Sequence, residues 1–186
     1  FILSRFDSIS EKEVRYIFLI SFLVSSMSFG YLMIDTIAGW EVIFYMILIC
    51  ASVDTFGLLF GKYFGKNKIA PKISPNKTVE GFIGGVLMAT IIGTIWLSLL
   101  VGDSSFFSGL TMSSNSTLFV VSAFFTSLAL SLVSFSGDLL FSYIKRQKGI
   151  KDFGKLIPGH GGILDRIDSH LVVNLLVFTP IFITFT

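Results

Sequence analysis

Apolar residues gather into five long runs separated by polar breaks: Tyr16 to Ile34, Trp40 to Phe60, Phe82 to Val101, Leu118 to Phe141, and His170 to Thr186. Each reaches or nearly reaches the about 20 residues a helix needs to cross the hydrocarbon layer, the last being the shortest. The pattern predicts an all-α, polytopic integral membrane protein of about five transmembrane helices. Composition agrees. Hydrophobic residues make up 53% of the 186 residues and charged residues 14%, against roughly 25% charged in ordinary globular proteins. The mean hydropathy is +0.82. One soluble core could not hide that much apolar surface, whereas a bilayer can. The single cysteine, Cys50, lies inside the second run, so an intrachain disulfide is excluded.

The basic residues order these spans. All 14 lysines and arginines lie in the zones 5–15, 62–77 and 145–166, and the linkers 35–39 and 102–116 contain none. If the spans alternate, the three zones share one face. The positive-inside tendency makes that face cytoplasmic, and the chain a multi-pass protein of the cell inner (plasma) membrane with an outward-facing C-terminus. The segment 103–117 is a polar loop, and its Asn115-Ser116-Thr117 fits a glycosylation pattern common by chance. Repeats, heptads and nucleic-acid motifs are absent. The basic zones flank spans, so lipid headgroups or a phosphorylated substrate are the expected partners, not nucleic acid.

Several polar residues stand close to the apolar runs. Asp54 sits in LICASVDTFGLLFG and Asp138 in SLVSFSGDLLFSYIKR. A carboxylate there is costly unless paired, hydrated or bound to a cation; the plainer alternative is a helix-end aspartate in the headgroup layer. Asp138, Ser142 and Lys145 are spaced by four and three and share one helical face, with Arg146, Lys148, Lys151 and Lys155 following as a possible solvated, lipid-facing end. LIPGHGGILDRIDSH, Leu156 to His170, breaks helix at Pro158-Gly159. Gly161 and Gly162 would let backbone amides approach an anion, or form a plain turn. Asp165 and Asp168 stand at i and i+3, though Asp165 could instead pair with Arg166 or cap the helix. His160 suits a turn as well as a ligand, and His170 marks a span boundary. Between Gly61 and Gly85, five lysines accompany Glu80, and Pro71 and Pro75 prevent one continuous helix. Lys72, Lys77 and Thr78 could clamp phosphates; alternatively the lysines anchor the face and Gly81, Gly84 and Gly85 pack helices. No GxxxxGK[ST] loop is present. Carboxylates suited to Mg²⁺, lysines suited to phosphate and a glycine turn on one face point to phosphoryl or nucleotidyl transfer.

Taken together, Ser142, Lys145-Arg146, Lys151-Asp152 and LIPGHGGILDRID, with the upstream SVDTFGLLFGKYFGKNKIAPKISPNKTVEGFIGG, resemble the phosphatidate cytidylyltransferase (CDP-diacylglycerol synthase) family. The resemblance implies transfer of CMP from CTP to phosphatidate, giving CDP-diacylglycerol and pyrophosphate for phospholipid synthesis. It implies that Asp138 and Asp165 hold Mg²⁺, one or two cations, with Asp54 as a further acidic ligand and Asp168 beside the site. Lys145 and Arg146 match basic catalytic positions. Lys72, Ser74, Lys77 and Thr78 match an S-P-x-K-T binding loop, and Ser142, Lys151, Gly161 and Gly162 further binding positions. A phosphatidate oxygen would attack the α-phosphorus of CTP, so no side-chain nucleophile is required. The chain departs from the family pattern at Phe56, Val79 and Phe153, none of them a candidate metal ligand. Residues 1–186 are then expected to form a single transmembrane catalytic domain lacking the upstream spans of a longer protein. A homodimer is compatible with the chain, although no feature specifies its interface. Two other readings fit parts of the pattern: a CTP-dependent kinase of a lipid alcohol, and a small transporter using its aspartates as an ion path.

Overall fold

The computed structural model describes residues 37–71, 73–100, 116–147, 149–150 and 169–174. Within them the chain forms α1 (Ile37–Phe64), a hairpin of β1 (Lys68–Ala70) and β2 (Ser74–Thr78), α2 (Val79–Leu100) and α3 (Ser116–Gln147). Residues 169–174 are helical as well. Three stretches, Ile43–Phe64, Val79–Ser98 and Thr117–Gln147, are long and apolar enough to cross a membrane. The expected first span and most of the last lie outside the described residues.

Helix ends and apolar-run ends differ. α1 begins inside the expected linker 35–39, and α3 begins inside the expected loop 103–117 and runs six residues beyond Phe141. Hydropathy reports where the hydrocarbon layer lies, whereas a helix persists while its backbone hydrogen bonds can continue. At 1.5 Å per residue α3 is about 48 Å long, well beyond a hydrocarbon core of about 30 Å.

α2 shows how an all-apolar helix chooses its faces. Gly81, Gly85, Ala89, Gly93 and Leu97 recur every four residues and are buried, while Ile83, Leu87, Ile91 and Ile95, also every four, are exposed. Lipid is as apolar as any side chain, so burial of greasy groups does not sort these faces; close packing of small residues does. The partner stripe is Gly57 and Gly61 of α1, continued by Gly65 just past its end. A Cβ on Gly81 would lie 2.5 Å from the Gly57 carbonyl oxygen and 3.1 Å from the Gly61 Cα. One on Gly85 would lie 2.8 Å from the Val53 carbonyl oxygen. The two helices therefore run antiparallel with backbones nearly touching.

α3 closes the bundle with a seam spaced four and three: Ala123, Ser127, Leu130, Ser134, Gly137, Phe141 and Ile144 are all buried. The core joins Tyr45, Met46, Ile49 and Cys50 of α1 to Leu97, Ala123, Leu130 and Val173. Within it the hydroxyls of Tyr45 and Ser127 share a hydrogen bond of 2.7 Å, which satisfies a phenol that hydrocarbon would leave stranded. Gly137 lets Val172 approach, since an added Cβ would meet the Val172 side chain at 2.9 Å.

The hairpin is a departure from the all-α expectation. β1 and β2 pair antiparallel, Lys68 with Thr78 and Ala70 with Ser74, with an irregularity between these pairs. The turn closes through Ile73 N–H donating to the Ala70 carbonyl at 3.1 Å, which puts Pro71 at the second turn position where its fixed φ fits. Pro75 cannot donate to a ladder and sits in the irregular stretch of β2. The same prolines that excluded a continuous helix thus shape a hairpin. α3 ends with Gly149 at φ +67°. Gly149 N–H donates to the Arg146 carbonyl and Ile150 N–H to that of Lys145, the paired bonds of a Schellman cap.

Candidate active site

The hairpin end of the bundle gathers polar residues. Asp54 lies ten residues before the end of α1 and Asp138 nine before the end of α3. At 1.5 Å per residue the two carboxylates stand roughly 15 and 14 Å from those ends, at matching depth. Both line one cleft of about 260 Å³. Ser74, Asn76, Lys77 and Thr78 of β2 close one side, and Leu58, Phe82 and Phe135 supply apolar wall.

Lys77 occupies the middle of this charge pattern. Its ammonium forms an ion pair with Asp138 and stands 4.9 Å from the centre of the Phe135 ring. Phe135 and Asp138 are three residues apart on α3, so one helical face presents both ring and carboxylate. Both charged side chains are mostly covered, at 19% and 24% exposure. The pair is thus partly desolvated, where loss of either partner is felt.

Lys77 is held in place through Thr78. Thr78 is the N-cap of α2: its hydroxyl accepts from Gly81 N–H at 3.1 Å. Its buried side chain fills the gap left by Gly61 and Gly65. Glu80, in the first turn, accepts from Asn67 backbone N–H at 3.2 Å and from the Asn67 amide at 3.0 Å. Val79 N–H donates to the Asn67 carbonyl at 2.9 Å. The loop after α1 is thereby clipped to the start of α2. Thr78→Val should remove the cap acceptor and cost about 1 kcal/mol, while Thr78→Ser keeps it. Thermal unfolding in detergent checks this, with Ser expected near wild type and Val below it.

Of the residues singled out from sequence, the cleft brings together Asp54, Ser74, Lys77, Thr78 and Asp138. Ser142, Lys145 and Arg146 do not line it. Lys145 is buried at 8% exposure. Arg146 donates from Nε to the Ile73 carbonyl at 3.0 Å and from Nη1 to the Ile150 carbonyl at 3.1 Å, tying the hairpin turn to the end of α3. Gly81, Gly84 and Gly85 serve helix packing. Lys72, Lys151, His160, Gly161, Gly162, Asp165 and Asp168 lie outside the described residues. Sequence reading missed Asn76, Phe82 and Phe135, which carry no distinguishing signal. It also missed the stripe Gly57, Gly61 and Gly65, whose spacing of four was a legible one.

Among the described residues no group of three metal-ligating side chains occurs. Two carboxylates on one cleft still suit Mg²⁺, which commonly takes one or two protein carboxylates and completes its shell with water and substrate phosphate.

Helices long and apolar enough to span a membrane, around a largely apolar cleft that carries Asp54, Lys77 and Asp138 at the basic end of the bundle, define a class: a membrane protein with charged groups set among its helices. Within that class the chain belongs to the Cytidylyltransferase family, matched over residues 2–184. It is similar to the phosphatidate cytidylyltransferase of Rickettsia bellii, 34% identical over 179 residues, covering 95% of this chain and 73% of that protein. The Rickettsia conorii protein of the same name is 37% identical over 139 residues, covering 75% and 56%. That of Staphylococcus aureus strain COL is 42% identical over 135 residues, covering 73% and 46%. The chain thus spans about half the length of the last two.

Proposed function

We propose that the chain is a CTP-dependent nucleotidyltransferase that transfers CMP from CTP to phosphatidate, giving CDP-diacylglycerol and pyrophosphate. The observation that carries this reading is the family match over nearly the whole chain, joined to a cleft that collects Asp54, Asp138 and Lys77 at the basic end of the apolar helices. A bond forms from a phosphatidate oxygen to the α-phosphorus of CTP, and the bond from that phosphorus to the bridging oxygen of the departing pyrophosphate breaks. The chain's own residues need to bind, orient and neutralise. Lys77 places positive charge on the cleft floor, β2 holds it there through the Thr78 cap, and Leu58, Phe82 and Phe135 keep the surroundings poor in water, which strengthens each charge interaction.

Mg²⁺ would be held by Asp138, Asp54 and Asp165 and would supply charge neutralisation on the phosphates. Asp165 and Asp168 join the site in this reading. Support comes from Val172, which packs on Gly137 beside Asp138 and follows Asp168 by four residues in the sequence. Lys145 and Arg146 serve the same end of the site, Arg146 by fixing the hairpin turn. The whole molecule would cross the inner membrane about five times with this end in the cytoplasm. Lys62, Lys66, Lys68, Lys77, Lys145 and Arg146 all lie at the hairpin end of the described bundle, which accords with that orientation.

The test is pyrophosphate release by the detergent-solubilised chain with CTP, Mg²⁺ and phosphatidate, with product identification. CDP-diacylglycerol and pyrophosphate are expected, with no release when phosphatidate is omitted. Diacylglycerol pyrophosphate and CDP as products would instead show attack at the γ-phosphorus and sink the reading.

A further inference from the structure

The Lys77–Asp138 pair raises a question that the transfer reaction leaves open. If Asp138 is to hold a divalent cation, why does an ammonium stand on it? Lys77 is not there by accident of a loose surface chain. It extends from a β-strand whose end is capped and buried at Thr78, it is largely covered, and the Phe135 ring flanks it at 4.9 Å.

Resting on the reading above, we propose that Lys77 is the resident counter-ion of Asp138, which a divalent cation must displace, and that nucleotide phosphates receive the displaced ammonium. The formal charges make the point. Among the described residues, Asp54, Asp138 and Lys77 are the charged groups that line the cleft, and Asp138 carries its counter-ion in Lys77. A metal arriving alone meets the ammonium already paired with Asp138. A nucleotide arriving alone faces two carboxylates. Arriving together, the metal takes Asp138 while the phosphates offer Lys77 a new anion. Its long flexible stem and compact charge suit such a hand-over, and the planar, bidentate arginine fork does not. Each ligand thus raises the affinity of the other by the same factor, as linkage requires. The device would keep the site from filling with metal in the absence of CTP without leaving a bare carboxylate near the hydrocarbon layer.

The experiment measures Mn²⁺ affinity of the full detergent-solubilised chain by electron paramagnetic resonance, with and without CTP and with no phosphatidate present. Wild type is expected to bind Mn²⁺ weakly alone and markedly more tightly with CTP. Lys77→Met removes the competitor and should tighten Mn²⁺ binding in the absence of CTP by about tenfold, while shrinking the gain that CTP brings. Lys77→Arg, which keeps a cation on Asp138, should bind Mn²⁺ alone as weakly as wild type. Unchanged or weaker CTP-free Mn²⁺ binding in Lys77→Met overturns the proposal while leaving the transferase reading intact. Absence of Mn²⁺ binding to wild type even with CTP overturns both. Should Lys77→Met fail to fold, Phe135→Leu decides by the same criterion: it keeps both charges but removes the ring beside the ammonium, so CTP-free Mn²⁺ binding should tighten, and an unchanged affinity ends the idea.

Discussion

Asp138→Asn should lower CTP-dependent pyrophosphate release by about 10²–10³-fold while the protein still inserts and folds. The substitution keeps the size of the side chain and removes its charge, so a loss of that order would come from the chemistry. Two effects must be separated. Asn cannot neutralise the Lys77 ammonium, and a mostly covered cation without its partner costs about 1–3 kcal/mol. Adding Lys77→Met to Asp138→Asn removes the orphaned charge. The double variant should regain much of the lost thermal stability, whereas its turnover stays at or below the level of the single variant, since Lys77 is lost as well. Recovery of turnover along with stability would mean that Asp138 and Lys77 serve the fold alone. Full activity in Asp138→Asn would remove it from the site altogether.

Gly81→Leu should be the most damaging change at an uncharged residue. Its Cβ would lie 2.5 Å from the Gly57 carbonyl oxygen, 2.9 Å from the Thr78 hydroxyl and 3.1 Å from the Gly61 Cα. Two of these are backbone atoms, which cannot swing aside. α1 and α2 must separate, at a cost of about 3 kcal/mol by the usual measure of overpacking. For a chain of this size that corresponds to a fall in Tm of about 6–12 °C. Separation also moves Asp54, on α1, away from β2 and Lys77, so activity should fall with stability. Gly57→Ala is the matched control: its Cβ would sit 3.6 Å from the Gly81 carbonyl oxygen, an ordinary contact. Better helix propensity should offset its small steric demand, leaving Tm within a degree or two of wild type. Equal losses in both variants, read by thermal unfolding in detergent, would refute close backbone contact as what joins the helices.

Both expectations depend on features with different visibility in the chain. Asp54 and Asp138 were legible as single residues, because a carboxylate in an apolar run is expensive and calls for a purpose. Their common cleft was not, since 84 residues of chain separate them. Lys77 was legible as a basic residue beside a span, a position that fits anchoring as well as phosphate binding. Its ion pair with Asp138 and its place beside Phe135 depend on how α3 lies across the hairpin. Arg146 shows the reverse: a residue read as part of the chemistry spends its described hydrogen bonds on the carbonyls of Ile73 and Ile150.

By itself the sequence determined that the protein lives in a membrane, roughly where its helices run, which end carries the positive charge, and which family it belongs to. These follow from local quantities: the hydropathy of a run, the position of a lysine, the order of residues in a motif. Only the tertiary structure decided which faces meet, that Pro71 and Pro75 shape a hairpin, and which counter-ion Asp138 holds. In lipid the apolar effect does not tell one greasy face from another. Close approach of glycine backbones and the pairing of a few polar groups make that choice, and those are relations between distant residues that no local pattern records.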